Sequence, residues 1–343
     1  MEKKKTSHPT FLMYLESRAT SLYEMRHYSS AKNLRCAANR FRAYLTTIGK
    51  RDISFKRLQP SLITNFEEWL KLQGVQRNAS SSYMRSLHAA FNQGVKEITA
   101  ANDSSPKNFI AFENPFAQAY CGVDKTDKRA IDKSYIRIIR QLDLRKNLTE
   151  LYKYLGKRTR GKYFDWTLRQ LELTRDLFIF SFCTRGMAFV DLAFLRKTDI
   201  RDGHIHYARH KTRQRIAVKI EPMMKAIIKR WQGEGAYLFP LLTEEKDPDT
   251  AYLQYQNKLN IYNRNLKTIS QMIGDITLTS YVSRHSWAST AHAEKVPLSI
   301  ICQSMGHTSE RTTRIYLQEL DGTELDRSNR KLLLAVFKNR RKY

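Results

Sequence analysis

Acidic residues are scarce in this chain: 33 aspartates and glutamates face 60 lysines and arginines over 343 residues, a formal net charge of +27. The excess runs along the whole sequence and is not confined to one tail, so it points to a polyanion that touches most of the protein, nucleic acid ahead of an acidic membrane surface. Cysteine is scarce too. Cys36, Cys121, Cys183 and Cys302 stand far apart, without the paired spacing of a disulfide framework or a zinc site, so reduced, unligated thiols are expected. Glycine and proline, 13 and 8, are too few for a collagen-like or low-complexity chain. An apolar fraction of 41% is too high for a disordered one. Long hydrophobic runs are missing: Asp176 to Cys183 and Leu332 to Phe337 are the most apolar stretches, far short of the roughly 20 residues a membrane span needs. The opening Met1-Glu2-Lys3-Lys4-Lys5 turns polar without the apolar core of a secretory signal, so a cytoplasmic protein without membrane contact is expected.

What is there reads as two folded domains, mainly helical, each able to bury a core. In the first hundred residues, Ser29-Ser30 is placed to cap a helix whose stripe includes Leu34, Ala38, Phe41 and Leu45 and which Gly49 ends. Lys32, Arg35 and Arg42 share one flank of it, as candidate nucleic-acid contacts. Pro60-Ser61 starts a second helix that ends at Gly74, and a third runs from about Ser80 to Ile98. The pattern lapses between about residues 100 and 128 through Asn102-Asp103-Ser104-Ser105-Pro106 and Asn114-Pro115-Phe116. This lapse is expected to be a linker between a domain over about residues 1–120, with a flexible basic start over about 1–10, and a second over 125–343. In the second, helices are expected from Asp132 to about Leu155 and, strongly apolar, from Thr167 to Cys183, with a basic loop from Lys157 to Lys162 between them. From His204 to Ile220 the period changes to two around a basic turn, predicting a small β-hairpin. Helix returns after that: Ser280 as a cap for one through His292, Pro297 opening another that Gly306 stops, and Thr308 or Ser309 capping a third.

The chemistry-bearing residues fall in this last part. Tyr281, Arg284, His285 and Ala288 share a helical face at spacings of three and four. Met305-Gly306-His307 follows, and Tyr316 stands nine residues beyond His307. Arginine and histidine neutralise the nonbridging oxygens of a phosphate, and a phenol supplies a nucleophile able to form a covalent ester, so the order suits phosphoryl transfer through tyrosine.

Here the sequence resembles the tyrosine recombinases, or phage-integrase family, and looks nearest to its invertase and mobile-element branch. The family carries His-x-x-Arg-His, then Leu-Gly-His, then a tyrosine about nine residues later. This chain reads Tyr281-Val282-Ser283-Arg284-His285, Met305-Gly306-His307 and Tyr316. Thr184-Arg185-Gly186-Met187 before Asp191 resembles the family's first arginine block, and His210-Lys211-Thr212 resembles its catalytic-lysine turn. Two departures stand out. Tyr281 replaces the first histidine and is able to donate a hydrogen bond but not to shuttle a proton at neutral pH. Arg185 lies six residues before Asp191, where three is usual.

The resemblance implies a helical, SAM-like DNA-gripping domain followed by a catalytic domain, closing as a clamp on specific sites in double-stranded DNA. It implies a homo-oligomer on that DNA, a tetramer in the synapse, and no metal or other cofactor. Tyr316 would be the nucleophile, Arg185, Arg284 and His307 would stabilise the phosphate, and Lys211 would be the general acid, with Arg209 and Arg213 gripping phosphates beside it. His285 reads as packing. His204, His206 and His210 lack the cysteine or carboxylate partners of a metal site. The apolar stretch holding Leu325, Leu332, Leu333, Leu334, Val336 and Phe337 is expected to serve assembly, and the basic run Lys338 to Lys342 reads as a solvated tail. Two other readings compete: a non-catalytic helix-turn-helix regulator using Pro297 to Gln318 as its reader, and a type IB-like topoisomerase with the same chemistry but no partner exchange.

Overall fold

The computed structural model describes residues 9–102, 113–124, 129–156, 161–243 and 247–314. The chain divides into two compact units, Met1–Thr126 and Asp127–Tyr343.

Among the described residues, the N-terminal unit has four α-helices, α1 (Phe11–Glu24), α2 (Tyr28–Thr47), α3 (Pro60–Leu72) and α4 (Arg77–Asn102), around a core of aromatic rings. Phe11 meets Phe55 and Phe41 edge-on at centroid separations of 5.2 and 5.9 Å, and Phe41 meets Phe66 in the same way at 5.2 Å. Such edge-to-face pairs add to the burial itself because each ring's positive edge meets its neighbour's negative face. The expected helices form, with one addition and shifted starts. Helix α1 precedes those that periodicity picks out. Its residue Thr10 makes no side-chain cap, and Asp52 does that work from a distance, accepting from the backbone N–H groups of Leu12 at 3.0 Å and Met13 at 3.3 Å. A carboxylate there meets the positive end of the helix dipole. The N-cap position of α2 is His27, which makes no side-chain cap, and not Ser29-Ser30, which fall in the first turn. The preceding turn sets that start: Arg26 takes a left-handed φ of 62° and the rings of Tyr23 and Tyr28 pack edge-on. Gly49 and Gly74, at φ of 68° and 73°, close α2 and α3, a conformation that costs glycine nothing.

The second unit carries α5 (Lys133–Gln141), α6 (Leu148–Tyr154), α7 (Phe164–Cys183) and α8 (Phe189–Ala193). A three-stranded antiparallel sheet follows, β1 (Ile200–Arg201), β2 (His204–Ala208) and β3 (Arg215–Lys219). Then come α9 (Pro222–Trp231), α10 (Pro248–Met272), α11 (Val282–Ala293), α12 (Leu298–Ser304) and α13 (Glu310–Arg314). The predicted hairpin is β2–β3, pairing Ile205 with Val218 and Tyr207 with Ile216; at two residues β1 is too short to show a period. Helix α7 is the axis of the unit, with α5, α9, α10 and α11 packed around it. It begins at Phe164 rather than Thr167.

Its apolar run hides two buried acids. Glu172 takes a forked contact from Arg145, at 3.0 and 3.3 Å, and an ion pair from Arg230 at 3.2 Å. Asp176 accepts from Arg175 at 2.8 Å, Arg230 at 3.2 Å and the Trp231 indole at 2.7 Å. Buried carboxylates persist only when paired in this way. Among the described residues, no helix is long and apolar enough to cross a membrane, and all four cysteines are free.

Candidate active site

Two chain turns converge on one arginine. Arg284 lies in the first turn of α11, only 2% exposed. Its guanidinium donates through Nη1 to the carbonyl of Gly186 and through Nη2 to the carbonyl of Met305, both at 2.6 Å, and Nη2 also lies 3.0 Å from His307 Nε2. One side chain thus ties the turn after α7 to the turn after α12.

The first of these turns carries Arg185. Helix α7 ends on two consecutive left-handed residues, Arg185 at φ 60° and Gly186 at φ 72°, with the Gly186 N–H returning to the Ser181 carbonyl at 2.8 Å. The reversal accommodates the long step from Arg185 to Asp191, since Ala188 already caps α8. Gly186 has no substitute here: a Cβ on it would sit 2.7 Å from the Arg284 Cα. Two buried serines fix the register of α7 against α11. The Ser181 hydroxyl donates to the Met187 carbonyl at 2.7 Å, so the Ser283 hydroxyl, 2.8 Å away, donates to Ser181.

The second turn is a helix stop. Gly306, at φ 63°, and His307 send their N–H groups back to Gln303 and Cys302, both at 3.0 Å, which closes α12 with a Schellman motif and aims the His307 ring inward. Arg209, at the end of the hairpin turn and 4% exposed, clamps this stop by donating Nη1 to the Gly306 carbonyl at 2.8 Å. A Cβ on Gly306 would meet the tip of the Ile216 side chain at 2.7 Å, and the left-handed backbone at this position already favours glycine.

His307 is 6% exposed and its protonation state follows from its neighbours. A guanidinium offers only donors, so Nε2 facing Arg284 must accept, and the ring proton sits on Nδ1, which donates to Thr313 Oγ1 at 2.9 Å. Burial, then the charges of Arg284, Arg209 and Lys211, push its pKa down to about 3, so the imidazole is neutral in the DNA-free protein. Lys211 itself is exposed on the hairpin turn. Asp191 holds the same turn, accepting from the His210 backbone N–H at 2.8 Å and from its Nδ1 at 3.2 Å.

The predicted residues divide as follows. Hydrogen bonds bring Arg209, Arg284 and His307 together in one cup-like cluster, while Arg185 lies on the turn that holds Arg284, and Lys211 lies on the exposed hairpin turn. Tyr281 caps α11 rather than lying within it, is 42% exposed and has its ring 6.5 Å from that of His285. Ser280 is not the cap; its N–H is bound instead by Asn263 Oδ1 of α10 at 2.9 Å. His285 is half-buried, its pKa pushed down to about 4 by burial, Arg129 and Arg284. Arg213 is exposed in the hairpin turn, in a left-handed conformation at φ 58°. In the other unit, Lys32 and Arg35 are exposed on α2, whereas Arg42 turns onto its own domain, forming an ion pair with Glu16 of α1 and donating to Asn39 at 2.8 Å. Tyr316, the stretch from Leu325 to Phe337, the run from Lys338 to Lys342 and most of the expected loop at Lys157–Lys162 lie outside the described residues. Thr313 and Gly186 were missed by sequence reasoning. The signal for Gly186 was its place beside a candidate arginine; Thr313 gave none, since only the folded turn brings it to His307.

Two family profiles match the chain: that described as Phage integrase SAM-like domain, over residues 10–110, and that of the Phage integrase family, over 170–322. Together they span about three-quarters of it. No curated protein matches. Among solved structures, the fold is similar to a lambda integrase dimer bound to a COC′ core site, with a TM-score of 0.56 and 14% identity over 91% of this chain and 79% of that one. It is similar too to a lambda integrase tetramer bound to a Holliday junction, with a TM-score of 0.58 and 12% identity over 92% and 80%. A third match is the Tn1549 transposon integrase in complex with circular intermediate DNA, with a TM-score of 0.54 and 14% identity over 93% and 98%. At such identities the likeness is one of fold.

Proposed function

Since the chain belongs to the phage integrase family of tyrosine recombinases, enzymes that break and rejoin DNA, we propose that the cup around Arg284 receives the scissile phosphate of a specific double-stranded site. The observation that carries this reading is the buried Arg284 guanidinium, which joins the arginine turn, the Gly-His turn and a neutral histidine into one preorganised cluster. Tyr316, two residues beyond the last described residue, is the nucleophile. Its phenolic oxygen attacks phosphorus, the bond to the 5′-oxygen breaks, and the products are a 3′-phosphotyrosine and a free 5′-hydroxyl.

Arg185 and Arg284 stabilise the extra charge on the nonbridging oxygens, His307 joins them once its Nε2 carries a proton, and Lys211 gives its proton to the leaving oxygen. The phenol's proton passes to His307 or to a water. Phosphate binding favours His307, because a negative charge in the cup offsets the cations that now depress its pKa. The ester conserves the energy of the broken bond, so the 5′-hydroxyl of a partner strand reverses the step without metal or nucleotide.

The N-terminal helices, with Lys32 and Arg35, together with the exposed Arg213, grip phosphates as the two domains clamp the duplex, while the buried Arg209 braces the Gly-His turn, and four copies assemble in the synapse. Acting on chromosomal or mobile-element DNA by inversion, integration or excision places the protein in the cytoplasm, on the nucleoid. The test is covalent capture. Incubated with a library of genomic duplexes, the protein is expected to yield SDS-resistant adducts, and Tyr316→Phe to yield none while binding DNA with nearly unchanged affinity. Persistent adducts in the variant would move the nucleophile, and tight binding without adducts in the wild type would return the regulator reading.

A further inference from the structure

The geometry points to Thr313 as the positioning residue of His307: its hydroxyl holds the ring proton on Nδ1, so that the segment leading to the nucleophile also sets the state of the histidine beside it. Thr313 is fully buried on α13 and its Oγ1 lies 2.9 Å from Nδ1, while the opposite nitrogen faces a guanidinium 3.0 Å away. A neutral imidazole has one N–H and one lone pair. With a donor on the Nε2 side and an oxygen on the Nδ1 side, one arrangement satisfies both. Removing the hydroxyl leaves a buried N–H without its acceptor, and the ring relieves this only by moving its proton to Nε2, where it opposes the Arg284 N–H, or by turning away from the cup. In water the free side chain favours the proton on Nε2, so the observed tautomer needs the fold to impose it.

Thr313 is also three residues ahead of Tyr316 in the sequence. The same short segment therefore supplies the nucleophile and the oxygen that readies His307. This coupling rests on the recombinase reading above; the hydrogen bond itself does not.

Three variants decide it. Thr313→Val keeps the shape and removes the hydroxyl, Thr313→Ser keeps the hydroxyl, and Thr312→Val makes the same change at the exposed neighbour. Ring-nitrogen NMR of protein labelled with 15N-histidine, with His307 assigned through His307→Gln, reads the tautomer in the absence of DNA. The wild type, Thr313→Ser and Thr312→Val are expected to show Nδ1 protonated and Nε2 not, and Thr313→Val to show proton on Nε2. Formation of covalent adduct is expected to slow about tenfold or more in Thr313→Val, the worth of one buried hydrogen bond, and to stay within about twofold in the other two. An Nδ1-protonated ring in Thr313→Val, or equal losses in Thr313→Val and Thr313→Ser, would overturn the assignment. Because the tautomer is read without DNA, a failure of the recombinase reading would leave this result standing, and the two failures are distinguishable.

Discussion

The two units of this chain bury opposite things. Among the described residues, the only polar side chains buried in the N-terminal unit are Ser80 and Ser81, beneath a core of phenylalanines. The second unit buries Glu172, Asp176, Asp191, Arg209, Arg284, His307 and Thr313 among others. Desolvated charge costs several kcal/mol per group unless it is paired and hydrogen-bonded, so a fold that accumulates it in one half keeps it there for a purpose other than stability. The N-terminal unit is packed as a scaffold. The second is packed around a place where a phosphate's negative charge would find fixed, dry donors that need no reorganisation.

The largest effect that would sharpen this contrast comes from removing its central charge. Arg284→Met keeps the bulk but leaves the carbonyls of Gly186 and Met305 without their donor, and is expected to cost about 3–5 kcal/mol. Phe41→Ala should cost a similar amount through a cavity. The two losses should be separable in space: hydrogen exchange is expected to accelerate in α7, α11 and α12 for the first variant and in α1 to α3 for the second. Acceleration of both units by either variant would show that they fold as one body and that the contrast carries no independent energetics.

This asymmetry also explains what was legible in the sequence. Apolar stripes report a core that is apolar throughout, so α2 to α4 are visible to within a few residues of their ends; what shifts their starts is distant, such as the Tyr23–Tyr28 contact. In the second unit, the hairpin, the apolar α7 and the spaced Arg284, His307 and Tyr316 pattern are legible because each is local. Glu172 and Asp176 read as two acids in an apolar run, and nothing near them in sequence announces Arg145, Arg230 or Trp231, which come from two other segments. Asp191 holding His210, and Thr313 holding His307, are of the same kind: contacts made by turns whose conformation only the fold supplies.

A smaller effect separates the units by pH. The folded protein keeps His307 neutral to about pH 3, whereas the unfolded chain takes up a proton near pH 6.5. Below that value the unfolded state binds more protons, so stability falls as pH drops. Between pH 6.5 and 5 the loss due to His307 should be about 2 kcal/mol, on the unit that buries it beside Arg284, Arg209 and Lys211. His285, similarly depressed, adds to the slope in wild type and variant alike, so the difference from His307→Gln isolates His307. Urea-dependent hydrogen exchange read in α11 is expected to show the loss and its relief in the variant, while α2, in a unit without a buried histidine among the described residues, stays level. An equal slope in α2 would assign the acid sensitivity to net charge instead.

The smallest effect asks whether a strained backbone position is kept for chemistry. Both units place an arginine in the left-handed region, Arg26 at φ 62° after α1 and Arg185 at φ 60° after α7, where any residue with a Cβ loses roughly 1–2 kcal/mol relative to a right-handed conformation. Glycine removes that strain and returns part of the gain through a more disordered unfolded chain, so Arg26→Gly and Arg185→Gly should each stabilise by about 0.5–1 kcal/mol. Their effects on covalent adduct formation should diverge. Arg26 is exposed on the scaffold, and its loss should leave the rate unchanged. Arg185 adjoins the residue whose carbonyl holds Arg284, and removing a charge aimed at the phosphate typically costs about a hundredfold or more. A protein that gains stability while losing strand cleavage at Arg185, but only gains at Arg26, would show that the second unit keeps this strain because the reaction needs the guanidinium there. Loss of stability in Arg185→Gly, with cleavage intact, would make Arg185 a structural residue and leave the phosphate to Arg284 and His307.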